Sequence, residues 1–594
     1  MTQPQAVIRV GQARLTAGLD RYARLDLAAH REVFGLAPQL SAAELIAMCE
    51  QVDLRGRGGA AFPVARKLRS VLARKRRPVI VVNGTEGEPG SAKDTTLLAR
   101  SPYLVLDGAM LAARALGTRE VIVAVAAGGP HGQSVADAVA ADRAFRSVRV
   151  VSVPERFVSG ESSALVNAIN GRAALPSGGA ARASDAGVRG LPTLLSNAET
   201  FAQLAVLAML GPDGYASVGA PAEPGTVLLT VGGSVAHPAV VETPTDVPLG
   251  HILDICGAGP ASGVLVGGYH GRWLPAAAAY DLPVSRAALA AGGGTLGAGI
   301  VLVLGADTCP LAEVSRVAGY LAMQSSGQCG PCKQGLPAVA SSLAALAAGS
   351  GGMDDLESVR RAAAGVRGRG ACHHPDGTAN FVSSALDVFT ADITEHLFRG
   401  NCGRPAAGLL PLAAASESRL TVDWTRCQGH GLCARLVPEL IEVDQHGYPA
   451  FLDAPVPFWL SKDARQAVDM CPALALSLTA PESAASRPRL RSAPKAAALS
   501  GGRPARRAIG RGAPDRSAGS GAAGSRTAKD KTARSRTVPD RITPGGTAPG
   551  RQPAPGALDD EPPTLTGRAL RRADLAAASA WLEELGGRPL PRDD

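Results

Sequence analysis

Short unbroken apolar runs alternate with stretches of helical period over the first part of this chain. Val79-Ile80-Val81-Val82 reads as a buried strand, and Glu120 to Ala126 as a second. The second follows an apolar helix over Leu104–Leu116, and another helix is read at 41–49. Strands alternating with helices predict an α/β domain over residues 1–220. From Thr226 the texture changes. Runs at Thr226–Gly233 and Val264–Gly268, with a helix at Leu249–Cys256, predict a small β-rich module over 221–280. Residues 281–405 read as helical, most clearly from Pro310 to Leu397. Residues 416–480 form a compact α+β unit. After that, Ser, Pro, Gly, Ala and Arg dominate without periodicity, which predicts a disordered tail over 481–594 with one short helix at Leu575–Leu585. The class is α/β multidomain.

Ala287 to Ala306 is 20 residues without charge, long enough for a membrane span. Gly292-Gly293-Gly294-Thr295 is poor helix material, so the stretch reads as a loop followed by a buried strand, Ile300–Leu304. No basic, then apolar, leader opens the chain. A soluble protein is expected.

Charge changes the picture in one place. The chain carries a net +9, and the stretch from Pro481 to Asp594 holds 21 Lys+Arg against 12 Asp+Glu. The remainder is balanced, so the body gives no electrostatic reason to bind nucleic acid. The tail's arginines could dock an acidic partner or simply solubilise. Ten cysteines in 594 residues are too sparse for a disulfide framework. Their clustering points to metal or cluster binding in a reducing, cytoplasmic setting.

The densest signal is Cys329-Gly330-Pro331-Cys332, with Cys372 farther along and Ser326 three residues upstream of Cys329. The spacing is that of a cysteine-ligated iron–sulfur site in which one ligand position carries oxygen. A second set is Cys427-x-x-His430-x-x-Cys433, with Cys471-Pro472 later. It reads as a ferredoxin cluster, with a zinc site of three cysteines and one histidine as the alternative. Cys49, Cys256, Cys309 and Cys402 lack ligand spacing and read as ordinary thiols. His373 and His374, beside Cys372, either tune that cluster or form a solvated loop pair.

Two glycine-rich loops come earlier. Gly56-x-Gly58-x-x-Ala61 follows a helix, unlike an ordinary dinucleotide turn, and could be no more than a tight turn. The second, Asn83 to Gly90, carries Glu86 and Glu88, and Lys67 lies between the two. Backbone N–H groups and a lysine suit a phosphate; the carboxylates suit a hydrogen-bonding ring.

These residues, Arg55-Gly56-Arg57-Gly58-Gly59-Ala60 … Phe62-Pro63 … Lys67 and Asn83 … Glu86-Gly87-Glu88-Pro89-Gly90 … Lys93-Asp94, resemble the FMN- and NADH-binding flavoprotein subunit of respiratory complex I. NAD-linked hydrogenase and formate dehydrogenase flavoproteins share the motifs. Gly160-Glu161 and Asn197-Ala198-Glu199-Thr200 extend the likeness, which covers about residues 30–400. It implies an FMN cradled by Gly56, Gly58, Gly59, Lys67, Asn83, Glu88, Gly160, Glu161, Asn197 and Thr200, with Phe62 against the NADH adenine and Glu86 and Glu88 in the catalytic roles. It also implies a ubiquitin-like β module and a cluster-bearing helical bundle, with Cys329, Cys332, Cys372 and Ser326 around a [4Fe-4S] or [3Fe-4S] cluster.

The departures concern NADH more than FMN. Thr85, Ser162 and Ser196 stand where the family has an acid, a glutamate and an asparagine, and Phe157 replaces a tyrosine. Ser70 falls where the second adenine-stacking phenylalanine belongs. Gly179 and Arg182 stand near the expected lysine and phenylalanine. A missing aromatic partner removes ~0.5–1.5 kcal/mol. A lost hydrogen bond to a charged group removes ~1.5–3 kcal/mol. Two or three such losses weaken binding roughly 10²–10⁴-fold at about 1.4 kcal/mol per decade.

The flanks of the second cysteine set resemble the single-cluster ferredoxins that serve bacterial cytochromes P450. That likeness implies a [3Fe-4S] cluster on Cys427, Cys433 and Cys471 with His430 as a non-ligand, or a [4Fe-4S] cluster with His430 as the fourth ligand. Two functions follow. One is a cytoplasmic oxidoreductase that moves electrons from NAD(P)H through FMN and clusters to its own ferredoxin, then to a P450 or another ferredoxin-dependent enzyme. The other is an electron-transfer or scaffold protein that no longer binds NADH and is fed by another reductase.

Overall fold

The computed structural model describes residues 6–479 except 180, 414–417, 452–455 and 458–459. The basic tail and the helix expected at Leu575–Leu585 lie outside the described residues.

Four parallel strands make the first sheet, in the order Val148–Val153, Val121–Ala126, Val79–Gly84, Thr193–Asn197. Both faces are covered, which is why the central strands run apolar without alternation. Ile80, Val82, Val121 and Val123 pack with helices Pro102–Ala115 and Ala198–Tyr215. Val79, Val81, Ile122 and Ala124 pack against helix Ser162–Ile169. The two covering helices touch at Gly108, where an added Cβ would collide with the Phe201 carbonyl. Gly108→Ala is therefore expected to destabilise this domain by about 1–3 kcal/mol, the cost of overpacking a rigid contact. Thermal or denaturant unfolding measures it.

The second sheet has six strands, ordered Ala6–Arg9, Ala239–Pro244, Thr226–Gly233, Ile300–Gly305, Ala261–Val266, Arg272–Pro275. The sequence pattern confined this module to 221–280. The sheet takes an edge strand from the N-terminus, in parallel register Ala6↔Ala239, and a central strand from Ile300–Gly305. Pairing across such separations leaves no local periodicity to read. The apolar run of the central strand is legible, and the fold divides it between two cores. Val301 and Val303 face helix Leu249–Ile255, while Ile300, Leu302 and Leu304 face the helical bundle. The uncharged stretch 287–306 thus ends in a buried strand. Among the described residues no helix is long and apolar enough to cross a membrane.

The bundle comprises Pro310–Met323, Leu336–Ala347, Met353–Val366, His374–Val388 and Thr390–Arg399. The last part is a small α+β unit. Arg419–Val422 pairs antiparallel with Leu476–Thr479, and Ile441–Val443 with Pro449–Phe451. Helices Leu432–Leu436 and Ser461–Asp469 complete it around a core of its own that includes Val437, Ile441, Leu460 and Ala464.

Candidate functional site

Asn83 and Asn197 end neighbouring parallel strands and are register partners. The carboxyl ends of such strands open the crevice in which α/β sheets bind ligands. The first glycine loop enters this crevice. Arg57 N donates to Thr200 Oγ1 at 2.9 Å. A Cβ on Gly58 would lie 3.2 Å from Asn197 Cβ. Gly59 has φ +97°, a conformation open to glycine. Gly56 N closes the loop onto the Phe62 carbonyl at 3.0 Å. From the other side, Asn83 Nδ2 donates to the Gly160 carbonyl at 3.0 Å, and the Thr85 hydroxyl donates to Asn83 Oδ1 at 2.5 Å. Glu161 caps helix Ser162–Ile169, accepting from Ser163 N and Ala164 N at 2.9 Å each. Lys67 Nζ donates to the Leu195 carbonyl at 2.9 Å, and burial lowers its pKa. The first glycine loop, Asn83, Gly160, Asn197 and Thr200 therefore gather at one sheet end, and Gly58 stands close against Asn197. That arrangement fits a phosphate-bearing cofactor such as FMN.

Beneath the cradle lies a charge network. Lys93 is 1% exposed, with Nζ 3.0 Å from Asp94 Oδ1, Asn197 Oδ1 and Glu199 Oε2. Desolvation opposes the charged lysine, but Asp94 and Glu199 outweigh it and its pKa is raised. Buried Arg57 likewise faces Glu199 at 3.9 Å and Glu223 at 3.6 Å. The sequence motif contained Lys93 and Arg57 but assigned neither a role. Their partners Glu199 and Glu223 are remote in sequence, so only the fold shows them.

The two glutamates expected to be catalytic differ. Glu86 accepts from Asp94 N at 3.0 Å, Thr95 N at 2.8 Å and Ser91 Oγ at 2.5 Å, so both its oxygens hold the start of helix Lys93–Arg100. Glu88 accepts from Tyr269 N at 2.5 Å. Desolvation pushes its carboxyl up to about 8, against the pull of that amide. Between the ordinary value of 4.5 and about 8 the folded protein thus holds a proton that the unfolded chain releases. Stability falls as pH rises through that window and levels off above it. Glu88→Gln keeps the neutral form and is expected to flatten the fall, seen as Tm against pH for both proteins.

At the first cluster site, Cys329 Sγ and Cys332 Sγ are 3.6 Å apart, and Ser326 Oγ is 3.9 Å from Cys332 Sγ. Cys372 lies within electrostatic reach of both thiols, and burial pushes it up to about 11. A π-type turn, Pro331–Gly335, presents Cys332. Three thiols and a buried hydroxyl form a donor set suited to an iron–sulfur cluster. The histidine pair splits. His373 is solvated beside Asp376, whereas His374 is 3% exposed, with Nε2 2.8 Å from the Leu321 carbonyl. In the terminal unit Cys427, His430, Cys433 and Cys471 line one cavity, and Gly429 and Gly431 take positive φ around His430.

Phe62 is 42% exposed at a cleft of about 400 Å³ shared with Arg55 and Arg66. The Arg66 guanidinium lies 5.7 Å from its ring centroid. Ser70, on the same helix, Val64–Leu72, adds no second ring.

Comparison with known proteins agrees with this layout. Residues 49–206 match the Nuo51 FMN-binding domain, 312–396 the NADH-ubiquinone oxidoreductase-F iron-sulfur binding region, and 420–478 a 4Fe-4S single cluster domain. The chain is 28% identical over 395 residues to an NADH-quinone oxidoreductase subunit from Streptomyces coelicolor, spanning 63% of this chain and 86% of that protein. It is 27% identical over 368 residues to mitochondrial NADH dehydrogenase [ubiquinone] flavoprotein 1 of Dictyostelium discoideum, spanning 58% and 77%. Among solved structures, an NAD+-reducing [NiFe]-hydrogenase in the air-oxidised state aligns with TM-score 0.58 and 27% identity, covering 69% of each chain. The resemblance read from the motifs is borne out. FMN-binding and 4Fe-4S domains are present, and the homologues are oxidoreductases.

Proposed function

We propose that this relative of the complex I flavoprotein, joined to a single-cluster ferredoxin domain, is an oxidoreductase that passes electrons from NAD(P)H to its own ferredoxin and then to an external protein. The observation that carries the reading is that residues beside each of the three sites touch residues beside the next. Phe157, in the turn that ends at Gly160, packs its ring 4.7 Å from His270 and 5.4 Å from His374, which lies two residues beyond Cys372. Gln328, next to Cys329, donates to the Pro176 carbonyl at 2.9 Å. Lys333, next to Cys332, faces Glu439 of the ferredoxin domain at 3.8 Å.

Bound FMN supplies the conversion between two-electron hydride donors and one-electron cluster acceptors. Gly56, Gly58, Gly59, Lys67, Asn83, Gly160, Asn197 and Thr200 would hold it. Glu88 keeps a proton at the edge of that cradle near neutral pH, and Glu86 holds the loop. Cys329, Cys332, Cys372 and Ser326 would hold one cluster, and Cys427, Cys433 and Cys471 the other, with His430 at the middle position. On this reading residues 1–220 carry the flavin, 221–280 a ubiquitin-like module completed by the strands Ala6–Arg9 and Ile300–Gly305, 281–405 the bundle cluster and 416–480 the ferredoxin. The acceptor would be a cytoplasmic redox protein such as a cytochrome P450.

The Arg66 guanidinium over the Phe62 ring and the absence of an aromatic at position 70 favour a second reading, in which nucleotide binding is lost and another reductase feeds the chain. Anaerobic purification with flavin and iron analysis, followed by rapid mixing with NADH or NADPH, separates the two. Bleaching of the flavin by either nucleotide is expected. A yellow protein that does not bleach with millimolar nucleotide would leave only the second reading.

A further inference from the structure

Cys309 and Cys402 have no ligand spacing in the sequence, yet the fold places their sulfurs and a nitrogen of His396 all within 4.8 Å of one another. Cys309 caps helix Pro310–Met323, with Ala312 N–H directed at its sulfur at 3.4 Å. His396 lies on helix Thr390–Arg399, and its Nε2 is 3.2 Å from Cys309 Sγ. Its Nδ1 is 3.1 Å from the Leu346 carbonyl. A carbonyl can only accept, so the ring proton sits on Nδ1 and the Nε2 lone pair is aimed at the sulfurs. An imidazole anchored in this way is the usual state of a metal-ligating histidine. Cys309 and His396 are buried and Cys402 is half-buried.

We infer that Cys309, His396 and Cys402 form a metal centre of their own and that it takes zinc. Bonds of about 2.3 Å to sulfur and 2.0–2.1 Å to nitrogen place tetrahedral ligand atoms about 3.5–3.8 Å apart, so this cluster needs only a small adjustment. Two thiolates with one imidazole select a borderline-soft ion over an oxygen-seeking one. Among the described residues three ligands are on hand, which leaves the fourth tetrahedral position open to a further ligand. The centre is remote from the bundle cluster. Helix Pro310–Met323 has 14 residues and spans about 20 Å, and Ser326 lies past its far end.

Zinc is not redox active, so the centre carries no electrons. What it holds is the root of the segment leading to the ferredoxin domain. Cys402 opens that segment, and its neighbours are already fastened. Cys309 N donates to the Pro405 carbonyl at 2.9 Å, and Arg404 pairs with Asp392. The N–H groups of Gly408, Leu409 and Leu410 all converge on the Glu313 carboxylate.

The test is elemental analysis of the full-length protein with flavin and iron loaded, expressed with added zinc. About one zinc per chain is expected. Cys402→Ser and His396→Gln should lose it, and Cys256→Ser, a buried thiol elsewhere, should retain it. Flavin and cluster iron should stay unchanged in Cys402→Ser, which separates loss of the metal from loss of the fold. Cobalt(II) supplied in place of zinc should give a thiolate-to-metal charge-transfer band that Cys402→Ser abolishes. Zinc below about a tenth per chain, zinc kept by both ligand variants, or a Cys309–Cys402 disulfide in mass spectrometry would each overturn the site and leave a thiol–imidazole hydrogen bond or a redox pair. None of these results bears on whether NAD(P)H reduces the flavin.

Discussion

Cys433→Ser should cut electron delivery to an external protein acceptor by more than roughly 100-fold, beyond the 10–100-fold that loss of an outer-shell partner brings at a metal site. Reduction of the flavin by nucleotide should not change. Cys433 lies on the short helix Leu432–Leu436 and shares its cavity with Cys427, Cys471 and His430. Serine removes one of three thiolates from a cluster that has few to spare. The unit keeps its own core around Val437, Ile441 and Leu460, and the flavin cradle is built on a different sheet. The loss is therefore confined to the last carrier. Steady-state reduction of a ferredoxin-dependent acceptor, run beside flavin bleaching, makes the measurement. Equal loss in both assays would mean that the substitution had damaged the whole chain.

Gly58→Val is the second large effect. Its Cβ would stand 3.2 Å from Asn197 Cβ, and the branched methyls add bulk at the same contact. Asn197 would have to move, and with it the 3.0 Å contact to Lys93 Nζ and the cap on helix Ala198–Tyr215. Overpacking costs about 1–3 kcal/mol, and loss of a hydrogen bond to a charged group about 1.5–3 kcal/mol. Together they weaken FMN binding roughly 10²–10⁴-fold at about 1.4 kcal/mol per decade. Iron should be retained, since the bundle thiols and the ferredoxin thiols sit on other cores. Flavin-to-iron ratio after purification checks it, and a variant with full flavin and full iron would remove Gly58 from the cradle.

How much was legible in the sequence differs from element to element. The central strands of the first sheet and the strand Ile300–Leu304 were readable, because burial on both faces writes itself into an unbroken apolar run. The glycine loops and the two cysteine sets were readable because their ligand or backbone groups lie close together along the chain. The Ala6–Arg9 edge strand was not, since its partner, Ala239–Pro244, comes from the far side of the flavin domain. Glu88 was legible as a motif residue, but its partner Tyr269 and its raised proton affinity were not, because both arise from packing between separate modules. Cys309, His396 and Cys402 illustrate the same limit. Only the antiparallel course of the bundle brings the start of one helix to the end of another.

The most direct test of electron flow through the chain is rapid-freeze electron paramagnetic resonance of the anaerobic full-length protein mixed with NADH or NADPH. The flavin should bleach first. A change in cluster signal that depends on Cys433, loss of the oxidised signal for a [3Fe-4S] cluster or a new signal for a reduced [4Fe-4S] cluster, should follow within the same turnover, and it should be absent when Gly58→Val removes the flavin. A flavin that stays oxidised, or a Cys433-dependent change that is as fast in the flavin-free variant, would contradict the proposed route.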